Sequence, residues 1–439
     1  MVEDLRSAVE ELKKYENQIA CTDTEVDSYA EVAGIYRYVG AGGTVKRPTK
    51  EGPALLFRNI KGFPDKQVLI GLLASRKRVG YLLDCPPDKL GFLLKDAAAN
   101  PVMPEFTESG DVPCQEEIHY ASDEGFDIRK ILPAPQNTEE DAGPYITMGM
   151  CYASDPVTGD GGVTIHRLCL QSADEMTMFF TPGVRHLDAF REKAEREGVN
   201  LPISISIGVD PAIEIASCFE PPTTPLGFNE LSIAGALRKK PVRMAKCRTI
   251  DEYAIANAEF VIEGELVAGK RMREDINTNT GKAMPEFPGY TGHVSGELPV
   301  IKIKAVTHRK NPMIQTCIGP SEEHVSMAGI PTEASILTME EKALAGRVKN
   351  VYAHRSGGGK YMAVIQFAKQ VPSDEGRQRQ AALIALTAFP ELKHVIVVDE
   401  DVDIFDSDDV LWALNTRYQG DVDTITIPGV RCHPLDPTE

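Results

Sequence analysis

Between residue 119 and about residue 310 the sequence passes through six short apolar runs: ITMGMCYA, VTIHRLCLQ, MTMFFTP, ISISIGV, FVIEGELV and VIKIKAV. β-Branched residues or a two-residue alternation dominate each run. That is the pattern of strands, because branched side chains fit a pleated surface and crowd a helical turn. Two helices interrupt them, one opening at Asp210 and Pro211 (DPAIEIASC) and one at Asn229 (NELSIAGALRK). Both starts carry a capping residue, and the first has proline at the first helical position. From about 320 the pattern switches. TEASILTMEEKALAG, EGRQRQAALIALTAF and SDDVLWALNTRY have helical periodicity, and NVYAHR, YMAVIQF, HVIVVD and DTITIP read as strands, HVIVVD as a buried one. Before residue 119 an amphipathic helix carries Leu5, Val9 and Leu12 on one face, and ALLF and QVLIG read as strands around a Gly/Pro/Asp turn. The expected class is mixed α/β (α+β). It has an N-terminal α/β segment (1–118), a strand-rich middle (119–318) and a C-terminal α/β layer with its own core (319–439).

With 439 residues, 42% of them apolar, the chain can bury a sizeable core in two or three domains. Its 47 Lys and Arg against 65 Asp and Glu leave a net charge of −18, and no block of five or six basic residues occurs. Nucleic acid and anionic membrane are therefore poor partners. The N-terminus has no apolar run suited to a signal peptide, and no stretch reaches the roughly 18 apolar residues of a spanning helix, so a cytoplasmic enzyme is expected. The nine cysteines are scattered singly without CxxC or CxxH pairs, which argues for reduced, mostly buried thiols.

The segment Arg273–His293 fits neither periodicity, because Asn277, Asn279, Gly281, Pro285, Pro288 and Gly289 break both. It carries two glutamates, Glu274 and Glu286, and a long irregular segment inside a compact chain is usually functional or mobile. Other patches combine polar residues with Gly or Pro: VTIHR (163–167), GVRH (183–186), GFNE (227–230), GPSEEH (319–324) and RCHPLDP (431–437). His166 and His186 read equally as satisfied histidines. Glu230 reads either as a first-turn carboxylate stabilised by the helix dipole or as a ligand to a divalent ion. Arg167, Arg185, Arg271 and Arg273 are solvated charges or binders of phosphate and carboxylate. GGGK (357–360) lacks the first glycine and the Ser/Thr of a phosphate loop, DEDVDIFDSDD (399–409) has Ile404 where a calcium loop needs glycine, and no GxGxxG follows a strand.

Taken together, the patches resemble the UbiD family of decarboxylases that use prenylated FMN. The resemblance runs along nearly the whole chain, through YRYVGAGGTVKRPT, NTEEDAGPYIT, VTIHR, GVRH, PPTTPLGFNELSIAGALR, VTHRKNP, GPSEEHVSMAGIPTEASI, GGGK, DEGRQRQAALIAL and VDEDVDIFDSDDVLWAL. INTNTGKAMPEFPGY, GPSEEH and HPLDP are most similar to the gallate and protocatechuate branch.

The resemblance implies a split β-barrel for 119–318 that binds prenylated FMN, and a C-terminal part that forms oligomer contacts and part of the substrate pocket. It also implies reversible non-oxidative decarboxylation of a hydroxylated aromatic acid through a covalent adduct with that cofactor. The family's Glu, Arg, Glu network falls on Glu274, Arg167 and Glu286, with Glu286 as proton donor. Thr164, Ile165, His166, Arg167, Arg185, His186 and Lys360 would line the cofactor. His186 and Glu230 would hold a divalent metal, Mn2+ or Mg2+, with K+ as a further ion. His324, His433 and Lys360 would face the substrate. A prenyl-FMN synthase of the UbiX type would supply the cofactor, and the enzyme would be a homo-oligomer, dimer or hexamer.

Two positions depart from the family. Where an Asn or Asp usually completes the metal site the sequence has Gly162, so that Asp160, water or backbone would supply the ligand, or the site is weaker. The family also usually continues well past its LDP motif, whereas this sequence ends at Glu439, which bears on oligomer contacts and pocket closure. Decarboxylation of another aromatic or heteroaromatic acid, a flavin oxidoreductase and a partner-dependent carboxylase subunit are the competing readings.

Overall fold

The six apolar runs of the middle section form strands that curl into a closed barrel. They are β6 (Tyr145–Ser154), β7 (Gly161–Leu170), β8 (Glu175–Met178), β9 (Leu201–Ile207), β12 (Phe260–Met272) and β15 (Leu298–His308), in the order β12-β9-β6-β7-β8-β15, with β12 pairing back onto β15. This computed structural model describes residues 2–42, 48, 50–108, 112–181, 186–431 and 433–438. Alternation explains why the barrel closes on an apolar interior. Ile203, Ile205 and Ile207 on β9 enter one core cluster with Ile262 and Ile303. Ser204 and Ser206, on the other face of β9, bond the backbone of β11 (Tyr253–Ile255), Ser204 donating to Tyr253 O at 2.7 Å and Ser206 accepting from Ile255 N at 3.2 Å. β5 (Glu117–Tyr120) adds to the outer edge of β15.

Three smaller sheets flank the barrel. The N-terminal one is β1 (Ile19–Thr22), β2 (Ala54–Phe57), β3 (Gln67–Ile70) and β16 (Met313–Thr316), so the chain leaves the barrel after β15 and inserts its next strand beside β3. A second joins β4 (Glu105–Thr107), β10 (Arg243–Lys246) and β11. The C-terminal one is β17 (Val348–Ala353), β18 (Met362–Phe367) and β19 (His394–Asp399). β19 is half-buried rather than buried because it lies at the edge of three strands. DTITIP forms no strand, and Ile425 and Ile427 are exposed. The eight described cysteines are free, four of them buried; Cys432 lies outside the described residues. No helix among the described residues is long and apolar enough to cross a membrane.

Two further departures from the sequence reading concern segments that build the site. Residues 282–293 are not irregular: β13 (Lys282–Glu286) and β14 (Tyr290–His293) form an antiparallel hairpin in which Pro285 faces Thr291 and Glu286 faces Tyr290. A two-stranded ribbon leaves Pro285 an outer edge where its missing N–H breaks no ladder bond. The long helix Glu322–Ala343 starts ten residues before TEASIL and runs through Pro331. Ser321 caps it, accepting from His324 N at 3.2 Å, which puts GPSEEH in the first turn.

That helix braces the flanking sheets. Glu323 accepts the N–H groups of Gly71 and Leu73 at 2.8 and 3.0 Å, and burial pushes its carboxyl up to about 7. Ten residues on, Glu333 takes Arg76 in a two-pronged ion pair at 2.7 and 2.6 Å and the Ala353 N–H at 3.1 Å, joining the helix to Arg76–Leu83 and to β17. Glu333 is fully buried, so removing it leaves the guanidinium without its partner in a poorly solvated site. The Glu333→Ala variant is expected to lose roughly 3–5 kcal/mol, the cost of breaking a buried pair, read as a lower midpoint in chemical denaturation; an unchanged midpoint contradicts this bracing role.

Candidate active site

β7 delivers Arg167, and two carboxylates from a single downstream segment clamp it. β12 ends at Met272 and hands the chain to Glu274, whose carboxylate accepts from Arg167 Nε and Nη2, both at 3.2 Å. The hairpin then folds back so that Glu286, the last residue of β13, takes Arg167 Nη1. Tyr145 donates its hydroxyl to Glu274 at 2.9 Å, the Gln171 amide donates to the Glu274 carbonyl at 2.6 Å, and Phe179 lies under the guanidinium at 4.1 Å. Glu274 is 1% and Glu286 8% exposed. Glu274 therefore faces Arg167 and not solvent, despite its distance in sequence from Glu286.

The two carboxylates differ in environment. Burial raises the Glu286 carboxyl above its ordinary range; Arg167 opposes this, and the like charge of Glu274 adds to it. Burial alone would lower the Arg167 guanidinium, but Glu286 and Glu274 outweigh it and hold the group protonated. Tyr145 fixes Glu274 further, whereas burial and the like-charged neighbour raise Glu286 against the pull of the shared cation. Across the hairpin, a Cβ on Gly292 would stand 2.8 Å from Glu286 Oε1 and 3.0 Å from its Cγ. Only glycine there lets the Glu286 side chain lie across β14 and reach Arg167.

The opposite wall of the same 230 Å3 cavity comes from the C-terminal half. His324, in the first turn of Glu322–Ala343, has Nδ1 3.2 Å from the Gly358 carbonyl, so Nδ1–H donates and Nε2 keeps its lone pair. Burial, with Lys360 nearby, pushes its pKa down to about 4, so the ring is neutral at physiological pH. Phe287 stacks on His324 at 4.6 Å and 4°, and meets His433 edge-on at 5.0 Å. The Leu435 N–H donates to His433 Nδ1 at 3.0 Å, leaving Nε2–H directed at Glu391 3.5 Å away. Lys360 Nζ lies between Glu391 at 2.5 Å and Glu220 at 3.4 Å. The closing segment is tied down twice: Tyr290 donates to the Leu435 carbonyl at 2.9 Å, and Lys393 to Asp436 at 2.8 Å, which lowers that carboxyl to about 2.

Ile165, His166 and Arg167 all line the cavity. His166 is held at both nitrogens, by the Thr164 hydroxyl at 2.7 Å and the Phe179 carbonyl at 3.0 Å. Arg185 lies outside the described residues. Arg271 binds Glu195 at 2.8 and 2.9 Å, and Arg273 binds Asp275, so neither joins the cavity network. Beside the barrel, the starts of two helices, His186–Arg196 and Leu231–Arg238, bring His186 Nδ1 and Glu230 Oε1 to 3.2 Å. His186 Nε2 lies 3.0 Å from the Thr224 carbonyl, and Nδ1 faces the Glu230 carboxylate. A nitrogen-plus-oxygen pair of this kind suits a divalent ion.

A Cβ on Gly162 would point at this pair, 3.5 Å from Glu230 Oε2 and 3.6 Å from His186 Nδ1, so position 162 faces the two donors but offers no ligand. Asp160 is exposed and accepts from the Thr158 hydroxyl at 2.8 Å, so it does not take the missing place. Among the described residues no third His, Cys, Asp or Glu completes a ligand set with His186 and Glu230.

Tyr145, Phe287, Glu220 and Glu391 were not singled out from sequence. Tyr145 sits in the NTEEDAGPYIT motif and Phe287 follows Glu286. Glu391 has no local signal, because only the fold brings it to Lys360 and His433.

The chain matches three domains of 3-octaprenyl-4-hydroxybenzoate carboxy-lyase: the N-terminal domain over residues 10–97, the Rift-related domain over 106–322 and the C-terminal domain over 325–439. It belongs to the UbiD family and is a carboxy-lyase. It is 54% identical over 436 residues to gallate decarboxylase of Lactiplantibacillus plantarum, covering 99% of this chain and 89% of that protein. The apo structure of a 3,4-dihydroxybenzoic acid decarboxylase from Enterobacter cloacae superposes with a TM-score of 0.94 at 55% identity, covering 100% of this chain and 89% of the other. An evolved dimeric form of the UbiD-class enzyme HmfF from Pelotomaculum thermopropionicum, in complex with prFMN, superposes with a TM-score of 0.86 at 35% identity, covering 96% and 91%.

The Gly292→Ala variant tests the hairpin geometry. Its methyl group displaces the Glu286 carboxyl by a fraction of an ångström or more, so the decarboxylation rate is expected to fall about a hundredfold with little change in unfolding midpoint. Full activity in this variant rules out the tight placement of Glu286.

Proposed function

We propose that the enzyme catalyses reversible non-oxidative decarboxylation of a hydroxylated aromatic acid of the protocatechuate or gallate type, with prenylated FMN in the barrel cavity and Glu286 as proton donor. The observation that carries the reading is the pairing of a buried carboxyl raised above its ordinary range, Glu286 on Arg167, with a neutral histidine acceptor, His324 Nε2, on the opposite wall of one cavity. The 54% identity to a gallate decarboxylase supports the substrate class.

Prenylated FMN, when bound, supplies the electrophilic centre that takes up the electron pair a carboxyl group leaves behind, which no side chain can do. The residues do the rest. His324 Nε2 accepts the hydrogen bond of a ring hydroxyl and draws electron density into the ring. His433, whose contact with Glu391 is long, turns Nε2–H toward a second hydroxyl. Lys360, held between Glu391 and Glu220, faces the substrate from the same wall. Carbon dioxide leaves, Glu286 gives its proton to the ring carbon, and solvent reprotonates it, so that each turnover consumes one proton. Arg167 and Glu274 hold the Glu286 carboxyl in place through this exchange. The tied-down 433–438 segment keeps water from the reacting carbon.

In this reading Thr164, Ile165, His166, Arg167, Arg185, His186 and Lys360 form the cofactor wall, and His186 and Glu230 hold Mn2+ or Mg2+, with K+ as a further ion. Water or backbone would supply the ligand that Gly162 does not. A UbiX-type synthase supplies the cofactor, and the enzyme works in the cytoplasm as a homo-oligomer, dimer or hexamer. Exposed Leu411, Trp412, Leu414, Ile425 and Ile427 in the C-terminal part support an assembly surface there. The three-part division proposed from sequence then assigns the cofactor to 119–318 and the pocket wall and assembly surface to 319–439.

Protein co-produced with a prenyl-FMN synthase and assayed for carbon dioxide on a panel of benzoates is expected to turn over acids with vicinal hydroxyls and to leave unsubstituted benzoate intact; activity confined to a non-phenolic acid overturns the substrate class. In the same assay Glu286→Gln should lose at least ~10²-fold in rate, the usual contribution of a positioned acid, while keeping its flavin colour. His186→Ala should instead emerge colourless; a flavin retained at wild-type stoichiometry removes His186 from the cofactor site.

A further inference from the structure

Away from the cavity, the outer edge of the barrel sheet carries a cluster that decarboxylation does not use. β5 pairs antiparallel with the end of β15, Glu117 opposite His308 and His119 opposite Val306. Residues two apart on a strand share a face, and so do residues directly opposite each other, which places Glu117, His119 and His308 on one face. Their donor atoms all lie within 4.8 Å of one another. His119 Nε2 is 3.1 Å from His308 Nε2, and Glu117 Oε2 is 3.7 Å from the same nitrogen. Two nitrogens each about 2.0–2.1 Å from a tetrahedral ion stand about 3.3 Å apart. The imidazole pair is therefore already spaced as ligands to a common ion.

The orientation of His308 points the same way. Its Nδ1–H donates to the Arg309 carbonyl at 2.7 Å, which fixes the tautomer and turns the Nε2 lone pair toward His119. Phe260, 5.3 Å away, backs the ring, and His308 is 1% exposed. Lys66 nearby is paired with Asp65 at 2.8 Å, which offsets its charge. Glu117 and His119 are only half-buried, so a fourth position opens to solvent.

We infer that Glu117, His119 and His308 form a second metal site, for a borderline divalent transition ion such as zinc or nickel, held by two imidazole nitrogens and one carboxylate oxygen with water in the open place. Two nitrogen donors disfavour magnesium and calcium, which take oxygen. The site joins residues 189 apart in sequence. It would clip the strand that leads into the barrel onto β15, whose other edge closes the barrel through β12, and so secures an otherwise free sheet edge.

The test uses the full-length chain stripped with a chelator and titrated with zinc chloride, followed by calorimetry and by the metal retained after gel filtration. Wild type is expected to bind a zinc equivalent that Glu230→Gln keeps and His119→Ala loses. Affinity in His119→Ala should fall at least about 100-fold, the upper end of what is lost when a group that merely orients a ligand is removed. Zinc should raise the unfolding midpoint of wild type but not of His119→Ala, and decarboxylation by the loaded His119→Ala enzyme should stay at the wild-type rate. His119 is half-exposed, so its replacement leaves the fold in place, which circular dichroism checks. Glu117→Gln is the second variant and should weaken zinc in the same way. Zinc bound equally by His119→Ala and wild type, or lost completely in Glu230→Gln, overturns the proposal.

Discussion

A guanidinium buried between two carboxylates is the constraint around which the rest of the site is arranged. Arg167 comes from the barrel wall, and Glu274 and Glu286 come from the segment that leaves the barrel on β12 and returns on β15. Desolvating three charged groups at once is costly, and the cost is offset only when each charge has a partner and the remaining lone pairs have donors. Tyr145 and the Gln171 amide supply those donors around Glu274, and Phe179 covers the cation. Among the described residues, Glu286 receives the guanidinium and no comparable set of further donors. The asymmetry between the two carboxylates therefore follows from hydrogen bonding and burial, and a carboxyl raised in this way suits acid work.

The packing around Glu286 serves this arrangement. Glycine at 292 lets the hairpin close without pushing the carboxyl aside. Phe287, the next residue, turns its ring between His324 and His433, so that one tight turn sets both the acid and the shape of the substrate wall. The helix that carries His324 is in turn held by Glu323 and Glu333 to the N-terminal sheet and the C-terminal strands. The hairpin that carries Glu286 is tied to the closing segment by Tyr290, which donates to the Leu435 carbonyl at 2.9 Å.

Much of this was legible in the sequence, for identifiable reasons. The barrel strands were visible because β-branched runs such as ISISIGV keep a two-residue period, and the family motifs singled out Arg167, Glu274, Glu286, His186 and Glu230 for the places the structure brings together. Local breakers misled elsewhere. Pro285, Pro288 and Gly289 read as an irregular loop, yet a two-stranded ribbon has a free edge for Pro285 and a tight turn for Pro288 and Gly289. The helical pattern reads from TEASIL onward, which leaves out the first ten residues of the helix that bears His324. DTITIP alternates like a strand but finds no neighbouring strand to pair with. Glu391 and Glu220 were invisible because their meeting with Lys360 is a property of the fold alone.

The central claim is that Glu274, adding its charge to the effect of burial, raises the Glu286 carboxyl beside the shared Arg167. It is tested most directly by the pH dependence of kcat in Glu274→Gln, followed on whatever residual turnover remains. Glu286 works in its protonated form, so activity falls on the alkaline side as it ionises. Removing the charge of Glu274 leaves Arg167 to stabilise ionised Glu286 alone, and the account expects the alkaline limb to move to lower pH than in wild type. A limb that stays in place, or moves to higher pH, contradicts it.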